Sequence, residues 1–217
     1  MRVKICGITR AEDAVLAAEL GAWAVGFVFW PGSPRWLDAP AAAAIAAQLP
    51  PQVARVGVFV DQPPDEIQST ATMVGLTFVQ LHGRERPEEA RSLARPVIKA
   101  ATLEQAQDDR TLLAWQDALL LVDGRDPQHP RADGRTVDWT AARQVAAKRA
   151  IVLAGGLTPR NVTDAIRTVR PAAVDVSSGV ERAPGEKDPG LLRAFFTAVA
   201  AAEADPVSAR SGDQGWM

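Results

Sequence analysis

Eight times along the chain a short apolar or β-branched run gives way to an amphipathic, often alanine-rich stretch, and this alternation limits the fold more tightly than any other feature. The apolar runs fall at residues 2–6, 23–29, 54–60, 76–82, 96–100, 118–123, 150–154 and 173–177. The intervening spacing predicts helices over 10–20, 38–49, 65–74, 87–94, 103–115, 138–148, 158–169 and 189–202, with Thr9, Asp38, Asp138 and Thr158 as candidate starts. Strict alternation implies parallel strands joined by crossover helices. The runs are almost wholly apolar, as expected where helices cover one side of a strand and side chains fill the other. Eight units in 217 residues match an α/β protein of the (β/α)8 TIM-barrel type. A doubly wound sheet would carry a glycine-rich dinucleotide turn after its first strand, whereas this turn reads Cys6-Gly7-Ile8-Thr9. One domain over residues 1–202 is expected, with 203–217, rich in small and polar residues, as a flexible tail.

Composition narrows the function classes. A net charge of -2 argues against a general nucleic-acid binder, which needs a basic excess. The single cysteine, Cys6, allows neither an intrachain disulfide nor a cysteine-built metal cluster, and His82 and His129 have no metal-site spacing. No stretch approaches the roughly 20 apolar residues that span a bilayer, and the first residues lack the pattern of a signal peptide. The expectation is a cytoplasmic protein without a cysteine- or histidine-built metal site.

In such a barrel the chemistry sits at the C-terminal ends of the strands. Those ends read Cys6-Gly7, Ser33-Pro34-Arg35 in the second loop, Val60-Asp61, Gln80-Leu81-His82-Gly83, Asp123, Ala154-Gly155-Gly156 and Asp175-Val176-Ser177-Ser178-Gly179. Gly155, Gly156, Ser177, Ser178 and Gly179 follow the last two strands, the usual phosphate site, where glycine lets an anion reach backbone N–H groups. Turn geometry alone also explains such glycines. Cys6 is a thiolate base or a small buried hydrophobe. An unperturbed thiol near pKa ~8.5 costs about 2 kcal/mol to ionise at neutral pH, and a modest depression by a nearby positive charge would suffice. Asp123 ends an apolar strand, placed for general acid or base work if desolvation raises its pKa, or for a loop ion pair. Arg35 could grip a substrate carboxylate through two hydrogen bonds or form a loop ion pair. His82 is a proton carrier or a structural histidine, and the residues alone do not decide. His129 lies in a polar loop and is expected to be solvated.

Together these residues resemble the phosphoribosylanthranilate isomerase family of tryptophan biosynthesis. Lys4-Ile5-Cys6-Gly7-Ile8-Thr9 is similar to its N-terminal motif, and Gly26-Phe27-Val28-Phe29 with Ser33-Pro34-Arg35 to its second strand and loop. Residues 56–60, 79–83, 153–157 and 174–181 continue the likeness in order, as do Gly185, Lys187 and Asp188. The resemblance implies an Amadori rearrangement of a small-molecule substrate, N-(5-phosphoribosyl)anthranilate, without a cofactor or metal, by a monomer or homodimer. It makes Cys6 the general base and Asp123 the general acid. It assigns Arg35 to the anthranilate carboxylate, Asp175 to the amine or sugar, and Gly156 with Ser177–Gly179 to the phosphate. His82 is a further candidate substrate contact. The family's glycine-rich run after the acid is absent: residues 124–137 keep Gly134 before Val137-Asp138-Trp139, which departs from the usual lid.

Two other readings stay open on sequence grounds. Another sugar-phosphate barrel is one: an indole-glycerol-phosphate synthase would need a strand-end lysine, for which Lys99 is the candidate, and a ribulose-phosphate epimerase would need metal-ligand histidines. A non-catalytic phosphate-binding module is the second, and it would not require both Cys6 and Asp123.

Overall fold

The protein was analysed as a computed structural model, which describes residues 1–124 and 137–204. Eight parallel strands close into a barrel in sequence order: β1 (Arg2–Cys6), β2 (Ala24–Val28), β3 (Ala54–Phe59), β4 (Phe78–Leu81), β5 (Val97–Thr102), β6 (Leu119–Asp123), β7 (Ile151–Leu153) and β8 (Ala173–Val176). The ring is sealed by β1 against β8, with Lys4 opposite Asp175 and Ile5 opposite Val176. Around it run α1 (Ala11–Glu19), α2 (Ala39–Ala46), α3 (Pro64–Val74), α4 (Pro87–Arg91), α5 (Leu103–Gln107), α6 (Asp109–Ala114), α7 (Trp139–Lys148), α8 (Val162–Val169) and α9 (Pro189–Glu203). The TIM-barrel expectation is met, strand for strand.

Strand side chains alternate between two environments. Val3, Ile5, Val25, Phe27, Leu120 and Val122 join the thick apolar layer shared with the helices. Ala24, Ala54, Val56, Ile98, Ala100, Leu121 and Val152 form a separate cluster filling the lumen. The period of two sends Lys4 and Cys6 inward from β1, and Asp175 inward from β8 beside Ala173. Lys99, flanked by the lumen residues Ile98 and Ala100, points outward. There it donates to Glu85 Oε2 at 2.7 Å and to the Gly83 carbonyl at 2.6 Å.

Local chemistry explains where the elements depart from expectation. The helix expected over 103–115 is two helices, because Asp108 takes an extended backbone and accepts from the Thr111 N–H and hydroxyl, capping α6 instead of continuing α5. Thr9 does not cap α1; its hydroxyl donates to the Gly185 carbonyl at 2.6 Å. The helix expected from Thr158 begins at Val162, since the Asn161 side chain holds the Thr158 N–H in a turn. An unexpected antiparallel hairpin, β9 (Glu181–Ala183) with β10 (Glu186–Lys187), follows β8. It turns at Gly185, whose φ of +84° suits glycine. No helix among the described residues is long and apolar enough to cross a membrane.

Candidate active site

A cavity of about 250 Å³ opens at the C-terminal mouth of the barrel. Its walls include Cys6, His82, Asp123 and Asp175, the loop around Arg35, and both glycine-containing loops after β7 and β8. The thiol from the first strand and the carboxyl from the sixth therefore face one space. Cys6, Arg35, His82, Asp123, Asp175, Gly155, Gly156, Ser177, Ser178 and Gly179 all lie on this wall, whereas Asp61 and Lys99 do not.

Cys6 stands at the top of β1, one inward position above Lys4. The Lys4 side chain is wholly buried, and its ammonium donates to Asp175 Oδ1 at 3.0 Å. Gly26 on the neighbouring strand makes room for both, since a Cβ there would meet Cys6 Sγ at 2.9 Å and Lys4 Nζ at 3.2 Å. The modest depression that would suffice for a thiolate base is not what these surroundings give. Burial pushes Cys6 up, and Lys4 pulls it down by less, while Asp175 adds to the rise. Burial also disfavours the Lys4 ammonium, but Asp175 and Cys6 more than offset this, so its pKa is raised and it stays charged.

Asp123 ends β6 opposite His82, with Oδ2 3.8 Å from the imidazole Nε2. The Gln80 side-chain nitrogen lies 3.0 Å from the other ring nitrogen, Nδ1, so the ring is gripped from behind and turned toward Asp123. On the far side Gly155, at φ +86°, presses its Cα toward the carboxylate; a Cβ there would come within 2.7 Å of Asp123 Oδ1. Gly155 thus leaves room for the Asp123 carboxylate while forming part of the loop after β7.

Those two loops are locked together. A side chain on Gly179 would collide with the Leu157 carbonyl, so backbone meets backbone there. Asn161 braces the first loop by donating to the Gly156 carbonyl at 2.9 Å. A three-residue 3-10 turn, Ser178–Val180, shapes the second. Opposite, Trp30, Val28 and Val58 pack with Cys6 into an apolar wall.

Arg35 adopts the loop ion pair, one of its two readings. Its Nε and one terminal nitrogen donate to the two oxygens of Glu181, at 2.8 and 2.6 Å. Gly7 permits this, because a Cβ at its φ of +73° would run into the Arg35 side chain. Arg35 still borders the cavity.

Sequence reasoning gave no role to Lys4, Gln80, Glu181 or Lys187. For Lys4 and Gln80 the signal existed: each lies two residues before a candidate, Cys6 or His82, and so shares its face of the strand. Glu181 and Lys187 lie outside the eight strand–helix units and carry no periodic cue. His129, Gly134 and the atypical lid segment lie outside the described residues. No cluster of metal-ligating side chains occurs among the described residues.

Comparison with known proteins follows the same lines. The family described as N-(5'phosphoribosyl)anthranilate (PRA) isomerase matches residues 3–198. The chain is 46% identical over 196 residues to an N-(5'-phosphoribosyl)anthranilate isomerase of Pelobacter propionicus, covering 90% of this chain and 94% of that one. It is 47% identical over 205 residues to the isomerase of Chromohalobacter salexigens, covering 94% and 96%. Among solved structures it is similar to the phosphoribosyl anthranilate isomerase of Thermotoga maritima, with TM-score 0.85, 43% identity and coverage of 93% and 99%. It is also similar to an isomerase in complex with reduced 1-(o-carboxyphenylamino)-1-deoxyribulose 5-phosphate, with TM-score 0.81, 42% identity and the same coverage.

Proposed function

The chain belongs to the N-(5'-phosphoribosyl)anthranilate isomerase family, and from that premise we propose that the Cys6 thiol is its general base and the Asp123 carboxyl its general acid. The enzyme isomerises N-(5-phosphoribosyl)anthranilate to 1-(2-carboxyphenylamino)-1-deoxyribulose 5-phosphate in tryptophan biosynthesis. The reaction needs one proton delivered and one removed. Asp123 protonates the furanose ring oxygen, the C1–O bond breaks, and the amine nitrogen lone pair forms the Schiff base. The Cys6 thiolate then takes the C2 proton. The C–H electron pair becomes the C1=C2 bond, and the iminium electrons return to nitrogen. The resulting enolamine tautomerises to the ketone.

The observation that carries this reading is the shared cavity: thiol and carboxyl line one space rimmed by the two glycine loops. Lys4 is the cation that favours the thiolate. Asp175, held by Lys4, faces the amine or sugar. His82 borders the sugar beside Asp123. Gly155, Gly156, Ser177, Ser178 and Gly179 offer backbone amides to the phosphate. The anthranilate ring lies on Trp30, Val28 and Val58, with its carboxylate toward Arg35 donors that Glu181 leaves unused. No step calls for a cofactor or metal. The synthase-type alternative loses its lysine, because Lys99 faces out of the barrel.

The test follows the loss of substrate fluorescence with purified protein. Cys6→Ser and Asp123→Asn should each lower kcat about a hundredfold or more, with an unchanged circular dichroism spectrum. Near-wild-type turnover in both variants would remove the assigned roles.

A further inference from the structure

Lys187 lies behind the cavity wall with its side chain wholly buried, a costly place for an ammonium. All three of its donors are used. They reach the Cys6 carbonyl at 2.6 Å, the Ser177 carbonyl at 3.3 Å and Glu181 Oε1 at 2.7 Å. Its backbone N–H is tied to the buried Asp13 at 3.0 Å. Glu181, whose side chain is 4% exposed, is equally saturated. Its Oε1 accepts from Arg35 Nε, Lys187 Nζ and the Gly185 N–H, and its Oε2 from the Arg35 terminal nitrogen. Neither residue borders the cavity. A buried ion pair of this kind seldom adds net stability over apolar residues of similar size. Its connections point elsewhere, to the base strand, the phosphate loop and the carboxylate clamp at once.

We propose that Glu181 and Lys187 are positioning residues for the isomerisation: Glu181 aims the Arg35 guanidinium at the substrate carboxylate, and Lys187 pins Glu181 to the backbone of Cys6 and Ser177. The proposal rests on the role given to Arg35 above. Charge counting supports it. Arg35 with Glu181 alone is neutral and would offer a carboxylate little. Lys187 adds a positive charge beside the pair, which the Asp13 carboxylate at its backbone N–H offsets only in part. Geometry supports it too. Holding Nε and one edge of the guanidinium fixes its plane, leaving the other edge to face the substrate. Without Glu181 the long side chain would sample rotamers and lose that aim.

The experiment compares two substrates, phosphoribosylanthranilate and its carboxylate-free counterpart phosphoribosylaniline, and reads the ratio of their kcat/KM values. Arg35→Ala reports the clamp itself. If Glu181 acts through Arg35, Glu181→Gln lowers the ratio about tenfold or more, and Arg35→Ala with Glu181→Gln lowers it no further than Arg35→Ala alone. The loss should appear mainly in KM. A merely structural role would depress both substrates together and leave the ratio unchanged. Should Glu181→Gln fail to fold, the paired exchange Glu181→Met with Lys187→Met removes the aim without stranding a buried charge, and the same fall is expected. A wild-type ratio in a folded Glu181 variant, beside a collapsed ratio in Arg35→Ala, overturns the proposal and leaves the clamp standing. A ratio unchanged in Arg35→Ala overturns the clamp and this proposal with it.

Discussion

At Cys6, burial and a neighbouring ammonium pull in opposite directions, and burial wins, leaving the thiol above its ordinary range. In the role of general base proposed for it, the thiol must be deprotonated to act. The rising limb of kcat/KM against pH should therefore lie to the alkaline side of an ordinary thiol. Lys4→Met removes the larger of the influences that lower the thiol, leaving only the weaker one of Lys187 against Asp175, which raises it, so the limb should move further toward alkali. A limb that stays in place, followed with the fluorescent substrate, would detach Lys4 from the base. Gly155 offers a second check. Alanine there would push against the Asp123 carboxylate and strain a positive φ, so Gly155→Ala should cut kcat about tenfold or more while the fold persists. At this scale the sequence was partly legible. Cys6, Asp123 and the glycine loops stood out because strand ends at a barrel mouth are where polar residues need a reason. The sign of the thiol shift was not legible, because it depends on how deep the sulfur lies.

Short elements carry their reasons in their first residues. Asp38 and Asp138 were readable as helix starts, and each side chain accepts from backbone N–H groups of the helix it opens. Asp108 was not readable as a break, since an aspartate inside an amphipathic pattern looks like a solvated face until its hydrogen bonds are known. The β9–β10 hairpin escaped notice for the same reason: five residues in two strands leave no period to detect. Asp188, which follows it, caps α9 by accepting from the Leu191 N–H at 2.8 Å. Asp188→Ala should cost about 1 kcal/mol. At this chain length that is a Tm lowered by roughly 2–4 °C in a thermal melt. No change in Tm would mean that the cap is redundant to the packing of α9 on α8.

Across the whole molecule, buried charge is sorted by face. Lys4 and Asp175 point into the barrel and serve the cavity, whereas Lys99 and Glu85 lie on the outer side between strand and loop. Lys99→Met strands Glu85 without its partner, and denaturant unfolding should register a loss of about 3–5 kcal/mol. The kcat/KM of the folded enzyme should stay within about twofold, since surface and core changes away from the chemistry act through stability. A large fall in kcat/KM would place Lys99 in the chemistry after all. The ring closure was legible because eight alternating units admit few other arrangements. The tie between Arg35 and the C-terminal hairpin was not, being a contact across 146 residues.

That span bears on how the protein is made. A ribosome makes Cys6 well before the ammonium that grips its backbone carbonyl, which comes 181 residues later. A nascent chain halted before the hairpin would hold thiol, carboxyl and all eight barrel strands yet lack the bracket that steers the guanidinium. Catalytic competence thus waits on the hairpin, however early thiol and carboxyl are made.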